Sequence, residues 1–597
     1  MSEVMRKWGV WLAISLVAAC EQPEEANEQA PAYTKAAPAY ATSGDRRMPP
    51  GVRFTDVTDA SGIDFEHETG GFGQKWMPET MGAGAGLFDI DADGDDDVVL
   101  VNGTWFAGHE EEGREAPTSG LYANRGDGVF EDVTAGSGLD VSLYGMGITA
   151  ADYDADGWTD LFLTTLGANL LLQGTGGLRF DDVTDRAGVA GSDWTDDEGR
   201  HNPEWSTAAL WTDTDNDGWP DLFVTNYVHW SPENDLYASF DGKQKSYATP
   251  QQYPGSTPRL YHNRGDGTFE EVTEAAGLLL PHAKSMGVAV ADFDSDGWVD
   301  LVVTNDTQPN FLLRNQADGR FVESGMAAGI GYDESGRARA GMGIDVTALN
   351  GDGIQAIGIG NFSRESMSLY TQTAPGAALF LDGAGRSRLV QPTLRTLTFG
   401  LKFLDYDLDG YRDLLLVNGH IEPGINAVQK EISYAQRPQL FWNDGAGGLI
   451  DVGTQAGPPF AQQLVGRGLA VGDLEGDGDV DALLSTNGGA ARVLRNDAVD
   501  AGGGSALVLL LTGESPAVDA LGAVVHVTNQ GRKQALTVRT GSSYLSQHSL
   551  ALVFGLGSAS AAEGVVVRWP DGAQQELGPL AAGRYRVTTA GAIQAAR

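Results

Sequence analysis

Cysteine is almost missing from this chain: Cys20 is the single one in 597 residues, so no internal disulfide can form. Positive charge is also scarce. Lys and Arg number 39 against 82 Asp and Glu, giving a net charge of -43. That balance argues against nucleic acid and anionic lipid surfaces as partners. The apolar run from Trp8 to Ala19 is far shorter than the roughly 20 residues a membrane-spanning helix needs, which leaves an export signal as its reading.

What is present at the start supports export. Arg6 and Lys7 precede the apolar run, and Val17-Ala18-Ala19-Cys20 closes it in a pattern that resembles a bacterial lipobox. Lipidation would account for Cys20, where the plain alternative is a buried, inert thiol. Glu21 follows, without the aspartate that commonly retains such proteins at the inner membrane, so a lipid anchor in a bacterial outer membrane is expected, facing either the periplasm or the surface. Residues 21–50 are rich in Pro, Ala and Glu with no periodic apolar face and read as a disordered tether.

The dominant pattern is a nine-residue acidic loop that occurs six times: DIDADGDDD from Asp89, DYDADGWTD from Asp152, DTDNDGWPD from Asp213, DFDSDGWVD from Asp292, DYDLDGYRD from Asp405 and DLEGDGDVD from Asp473. Carboxylates at positions 1, 3 and 5 can converge on one ion: Asp89, Asp91, Asp93; Asp152, Asp154, Asp156; Asp213, Asp215, Asp217; Asp292, Asp294, Asp296; Asp405, Asp407, Asp409; and Asp473, Glu475, Asp477. Glycine at position 6 permits a sharp turn. Position 7 offers a main-chain carbonyl (Asp95, Trp158, Trp219, Trp298, Tyr411, Asp479), and the aspartate at position 9 closes the shell (Asp97, Asp160, Asp221, Asp300, Asp413, Asp481). These are hard oxygen donors without histidine or cysteine, which favours Ca2+ over zinc or copper. An EF-hand needs glutamate at position 12, where this chain has Leu or Val, and each loop runs into a β-type segment such as LFLTT (161–165) or LVVTN (301–305). The expected cofactor is therefore about six Ca2+ ions held in strand-to-strand turns.

The repeat is longer than its loop. A glycine-opened strand precedes the loop, an apolar strand follows it, a third strand ends in a turn such as LYHNRGDG (260–267), and a fourth follows as in TFEEVT (268–273). Four short strands per repeat at this spacing predict an all-β fold, a β-propeller. A seventh repeat lies at 341–362, where Ala348 and Ala356 replace the first and last aspartates, so a folded repeat with little or no metal is expected there. RFTDVT (53–58) matches a fourth strand but precedes every complete repeat, and the last repeat stops after its third strand at RVLRND (492–497). The early strand is expected to complete the last blade and close the ring.

The phrases KWMPETMGAG (75–84), VTNDTQPNFL (303–312), AGMGID (340–345) and LVNGHI (416–421), with RTGSSYLSQ (539–547) and VVVRWPDG (565–572) near the end, resemble the cartilage acidic protein and ASPIC/UnbV family, whose repeats are of the integrin FG-GAP type. The resemblance implies an exported calcium-binding propeller, here seven-bladed over 51–500, and a small ASPIC/UnbV domain over 505–592. Read without it, 505–590 still shows alternating or apolar runs separated by glycine-rich turns, which predict a compact β-sandwich, with Gly502 to Gly504 as a linker. Ser543, Ser546 and His548 lie close together but lack a placed acid and oxyanion site, and read as turn and hydrogen-bond residues.

Strand parity puts the acidic loops and the turns between third and fourth strands on one face. The longest connections, 59–80, 185–204, 228–258 and 419–437, fall on the other, which is the expected recognition face. Second strands end there in Asn102, Asn226, Asn305 with Asp306, Asn361, Asn418 with His420, and Asn487, either as a polar ring or as local strand caps. Glu79 and His420 stand out because neither is required for a turn. The tryptophans at position 7 either stack on sugars or pack beside neighbouring blades. Two functions remain open: a non-enzymatic calcium-stiffened scaffold recognising a protein or glycan, and a polysaccharide hydrolase or lyase using Glu79 and His420 as acid and base. No catalytic residue is assigned.

Overall fold

The computed structural model describes residues 47–240 and 242–596; the expected export signal, Cys20 and most of the expected tether lie outside them. Among the described residues, seven four-stranded antiparallel sheets follow one another. Their first strands are Ala85–Phe88, Gly145–Ala151, Ser206–Thr212, Ser285–Ala291, Gly341–Ala348, Thr398–Leu404 and Gly466–Gly472, and they define sheets 1 to 7. Each of these strands touches the first strand of the next sheet, and that of sheet 1 touches that of sheet 7, so the sheets form a closed, propeller-like ring. Both faces of each inner sheet are covered by its neighbours. The first two strands therefore carry near-continuous apolar sequence, as in Asp300–Asn305, every residue of which is buried.

The expected closure is present. Phe54–Asp56 pairs antiparallel with Arg492–Asn496, with Phe54 opposite Asn496, and supplies the fourth strand of sheet 7. Sheet 5 forms without its two aspartates: Gly341–Ala348 pairs with Gln355–Asn361, Ala348 opposite Gln355.

The C-terminal region contains two four-stranded sheets. Ser505–Thr512 lies between Leu552–Gly557 and a parallel Gly583–Thr588, which Ile593–Ala595 extends. Val524–Asn529 lies between Arg532–Thr537 and Ala561–Arg568, with Gln574–Ala581 outermost. Leu507, Leu509, Val525, Val527, Phe554 and Val567 share one core. Glycines 502–504 are not a free linker: a Cβ on Gly504 would lie 2.9 Å from Leu408, and one on Gly503 would lie 3.0 Å from Val52. No helix among the described residues is long and apolar enough to cross a membrane.

Candidate metal loops and the plugged channel

Each acidic loop joins the first and second strands of its sheet. The position-1 carboxylate accepts main-chain N–H groups from within the loop, as Asp152 does from Asp156 (3.0 Å) and Gly157 (2.9 Å), and Asp213 from Asp217 (3.2 Å) and Gly218 (2.8 Å). Position 4 is left-handed even where it is not glycine, with φ of 57° at Ala155 and 58° at Asn216. This folding gathers the carboxylates. Ligand oxygens of Asp89, Asp91 and Asp93, of Asp152, Asp154 and Asp160, of Asp213, Asp215 and Asp221, and of Asp292, Asp294 and Asp296 lie within 4.8 Å of one another in each group. Several acidic clusters are thus able to hold metal ions, and buried oxygens without partners, Oδ1 of Asp154, Asp294, Asp407 and Asp473, fit a cation. Burial and mutual repulsion push the carboxyls up, to about 7 for Asp152 and Asp213 and about 9 for Asp160.

The position-9 aspartate has a second role that sequence reading missed. One of its oxygens accepts the N–H of position 2, and the other accepts an N–H at the end of the third strand: Asp221 from Thr214 (3.1 Å) and Asn263 (2.9 Å), Asp300 from Phe293 (3.2 Å) and Asn315 (2.9 Å), Asp481 from Leu474 (2.8 Å) and Asn496 (2.7 Å). The asparagine side chain then crosses to the preceding sheet. Asn124 donates to Leu474 O (3.0 Å), Asn263 to Tyr153 O (2.8 Å), Asn315 to Thr214 O (2.8 Å) and Asn496 to Tyr406 O (2.9 Å). In sheet 5 Gln372 takes the asparagine's place and donates to Phe293 O (2.8 Å).

The residue before this position, which Gly174 occupies in sheet 2, reaches position 3 of its own loop. Gln173 bonds Asp154, Trp442 Nε1 donates to Asp407 (2.9 Å), Arg314 pairs with Asp294, and His262 Nδ1 lies 3.6 Å from Asp215 and 3.0 Å from Asp221. Hydrogen bonding to Asp221 raises His262 to about 9. The recurrent Arg-Asn in LLRN and VLRN was the available signal. At position 7, Trp158, Trp219 and Tyr411 lie over Gly176, Gly265 and Gly445 in the third-to-fourth-strand turns of their own sheets.

The C-terminal domain covers this loop face. Arg584 pairs with Asp473 (3.1 Å) and donates to Gly94 O (2.8 Å), Arg532 donates to Asp409 O (2.6 Å), and Asp519 accepts the N–H of Asp152 (2.8 Å). From the same domain, residues 539–549 enter the channel and bond the first strands of all seven sheets. Gln547 N donates to Ala85 O (3.1 Å), Leu545 O accepts Ile148 N (3.2 Å), and Thr540 Oγ1 both accepts from Trp211 N (2.8 Å) and donates to Trp211 O (2.7 Å). Arg539 donates to Val290 O (3.3 Å), Ser543 O accepts Ile344 N (2.9 Å), Ser543 Oγ accepts Leu401 N (3.2 Å), and His548 Nδ1 accepts Val471 N (3.1 Å). Ser543 and His548 are hydrogen-bond residues, as expected, but their partners lie across the molecule. A cavity of about 520 Å³ remains between domain and ring, lined in part by Lys402, Asp345, Arg539 and His548.

The opposite mouth corrects the expectation for Glu79 and His420. Glu79 and His420 both serve turns. Glu79 Oε1 accepts Trp76 N (2.9 Å) and caps the short helix Met77–Thr80, while His420 Nδ1 accepts Glu422 N (3.0 Å). The second-strand asparagines form no open polar ring. Asn305 is fully buried, accepting from Lys284 N (2.9 Å) and donating to Pro309 O (2.8 Å), and Asn418 accepts from Thr398 Oγ1 (2.7 Å) and donates to Arg437 O (2.9 Å). They tie the second strand to the entry of the first and to the connection beyond. Asp306 accepts from Tyr227 Oη (2.6 Å). Arg467, which sequence reading passed over, lies wholly buried at this mouth, its guanidinium 4.0 Å from the Phe399 ring centre.

These repeats and their cap define the class: a propeller-like protein of four-stranded repeats with a β-rich cap, whose two parts are similar to FG-GAP-like repeats and to an ASPIC/UnbV domain. Residues 89–163, 213–303 and 292–359 match the FG-GAP-like repeat model, and 513–594 match the ASPIC and UnbV model. Among individual proteins, the chain is similar to cartilage acidic protein 1 of Mus musculus, 24% identical over 553 residues that cover 89% of this chain and 75% of that protein. The Homo sapiens protein of the same name gives 24% identity, 89% and 74%. The family resemblance read from the sequence therefore stands. Among solved structures, an Agrocybe aegerita lectin that recognises non-reducing terminal N-acetylglucosamine aligns with a TM-score of 0.34 at 16% identity, over 62% of this chain and 79% of that one.

Proposed function

We propose that this chain is a calcium-binding, seven-bladed β-propeller with a β-sandwich-like cap, exported and lipid-anchored through Cys20 to a bacterial outer membrane. In this reading it acts without catalysis, as a scaffold that recognises a protein or glycan through the face opposite the acidic loops. One observation carries the reading. The C-terminal domain lies on the loop face and fills the channel from that side, so the opposite mouth is left for a partner. That mouth carries exposed aromatic surface on its longest connection, with Tyr237 68% and Phe240 48% exposed. The acid and base of the enzymatic alternative find no support: burial holds His420 near 4, and its Nδ1 and Glu79 Oε1 are engaged by main-chain N–H groups.

The test is a panel of polysaccharides and extracellular proteins screened for binding and turnover in millimolar calcium. Saturable binding without turnover is expected, weakened at least tenfold by the double variant Tyr237→Ser/Phe240→Ser. Turnover of any polysaccharide, lost in His420→Ala while the fold persists, would overturn the scaffold reading.

A further inference from the structure

Arg467 is a buried cation without an anion. Its Nε donates to Thr80 O (2.8 Å) and its Nη1 to Gly466 O (2.8 Å) and Gly419 O (3.3 Å), while Nη2 has no partner. The groups acting on it electrostatically are the tyrosines Tyr544, Tyr434 and Tyr247, with no carboxylate among them. Of the carboxylates at this mouth, Glu422 bonds Lys75 through Oε1 (2.6 Å) and keeps a buried Oε2 without a partner, Glu79 accepts from Trp76 N (2.9 Å) and Tyr247 Oη (3.0 Å), and Asp306 accepts from Tyr227 Oη (2.6 Å); none of them is among the groups acting on Arg467. A buried, uncompensated guanidinium is costly and calls for a counter-charge.

Two histidines stand with it. His67 Nδ1 accepts Gly488 N (3.2 Å) and His420 Nδ1 accepts Glu422 N (3.0 Å), so in each neutral ring the proton lies on Nε2. Both Nε2 atoms are buried and unpartnered, in side chains 5% and 1% exposed. The main chain that Arg467 grips leads to both rings, and its charge acts on each of them. Gly419 directly precedes His420, and Thr80 leads into Gly82, whose Cβ position would lie 3.1 Å from His67 Nε2. Tyr544, the tip of the channel segment, forms the floor: its ring packs on Phe399 at 4.8 Å, and Phe399 in turn carries the guanidinium.

We propose that this inner mouth binds a small carboxylate, its oxygens accepting from Arg467 Nη2 and from the Nε2–H groups of His67 and His420. Three unpartnered donors around one uncompensated positive charge match a planar, singly charged acceptor. The proposal names the chemistry of the face read above as the recognising one and rests on that reading. Small-anion binding is measured separately from macromolecular binding, so either can fail alone.

The experiment is calorimetric titration of the full chain with acetate, and with sulfate as comparison, at pH 7.5 in millimolar calcium. A saturable one-to-one isotherm for acetate is expected, with sulfate weaker. The double variant His67→Asn/His420→Asn keeps an acceptor where each Nδ1 stands, preserving both turns, and removes the inward donors; at least a tenfold weakening without a change in melting temperature is expected. A crystal grown with bromoacetate gives a readout independent of the variant: an anomalous bromine peak beside Arg467 Nη2. No heat beyond dilution, an isotherm indifferent to the double variant, sulfate binding more tightly than acetate, or water alone beside Nη2 would each overturn the proposal.

Discussion

At the scale of the residue, the asparagine that ends the third strand joins neighbouring sheets. Asn263 Nδ2 donates to Tyr153 O on sheet 2 and to Pro220 O (3.1 Å) on its own, and its Oδ1 accepts Gly265 N (2.9 Å). Truncation leaves buried carbonyls without donors, at a cost of roughly 1–3 kcal/mol. Asn263→Ala is expected to lower stability by about 2 kcal/mol in urea-induced unfolding with calcium held constant; an effect below about 0.5 kcal/mol would show that water replaces the amide. Sheet 2 supplies the natural control. Gly174 stands at this position because a Cβ there would lie 2.6 Å from Thr159 O, and Thr159 Oγ1 instead donates to Asp89 O (3.0 Å) on sheet 1. Gly174→Asn is therefore expected to destabilise, not to complete the set. The asparagines were visible in the sequence as turn residues in NRGDG, and their partners 90 to 350 positions away were not. No local spacing encodes which carbonyl of another sheet will face an amide.

At the scale of the element, each acidic loop packs carboxylates closer than their charges favour. Folding raises Asp97 and Asp479 to about 8 and Asp160 to about 9, burial being the largest cause and neighbouring carboxylates adding to it. A carboxyl raised on folding binds more protons in the folded state, so its contribution to stability is complete below about pH 4 and lost as pH rises through the folded value. His262, raised to about 9, acts in the same sense, while Lys402, lowered to about 8, opposes it as a single group. The histidines lowered by burial, His67 and His420 at about 3 and 4, complete their titration below pH 7. In chelator, the melting temperature is therefore expected to fall between pH 7 and 9. In saturating calcium the ion replaces the protons, and the fall is expected to disappear. A chelator profile that is flat or rising would show that the loops carry no charge strain for an ion to relieve. With dissociation constants of roughly 0.1–1 mM, each filled loop adds about 0.4 to 1.4 kcal/mol at millimolar calcium. These loops were the most legible part of the chain, because ligand spacing, the glycine at position 6 and the following apolar strand are all local. The strand-three groups that meet position 3, such as Gln173, His262 and Arg314, come from sequence 19 to 47 residues downstream and were not read.

At the scale of the whole molecule, the sequence suggested a ring with a separate domain behind a glycine linker, and the structure joins the two into one body. Ala506, Val508 and Val553 of the C-terminal domain share a hydrophobic core with Leu404, Leu408 and Val471 of the ring, and Tyr544 and Leu545 lie in another with Trp205, Met286 and Phe399. The channel segment was unreadable as such because it has no periodicity: Ser543 and Leu545 adopt positive φ of 61° and 54°, and its bonds go outward to seven strands, not along a sheet. It satisfies inner-strand main-chain groups that an open channel would leave to water. Cap and ring are thus expected to unfold together, and calorimetry of the calcium-loaded protein is expected to give one transition. Gly84→Ala tests the coupling from the ring side, since its Cβ would lie 2.3 Å from Leu545 O and 2.8 Å from Met146 O, both main-chain atoms unable to swing aside. Overpacking of this kind costs roughly 1–3 kcal/mol. The variant is expected to lower that single transition as a whole, because displacing Leu545 loosens the cap and the inner strands at once. A cap transition split from an unchanged ring transition would show that the channel segment is a passenger in a ring that holds itself closed.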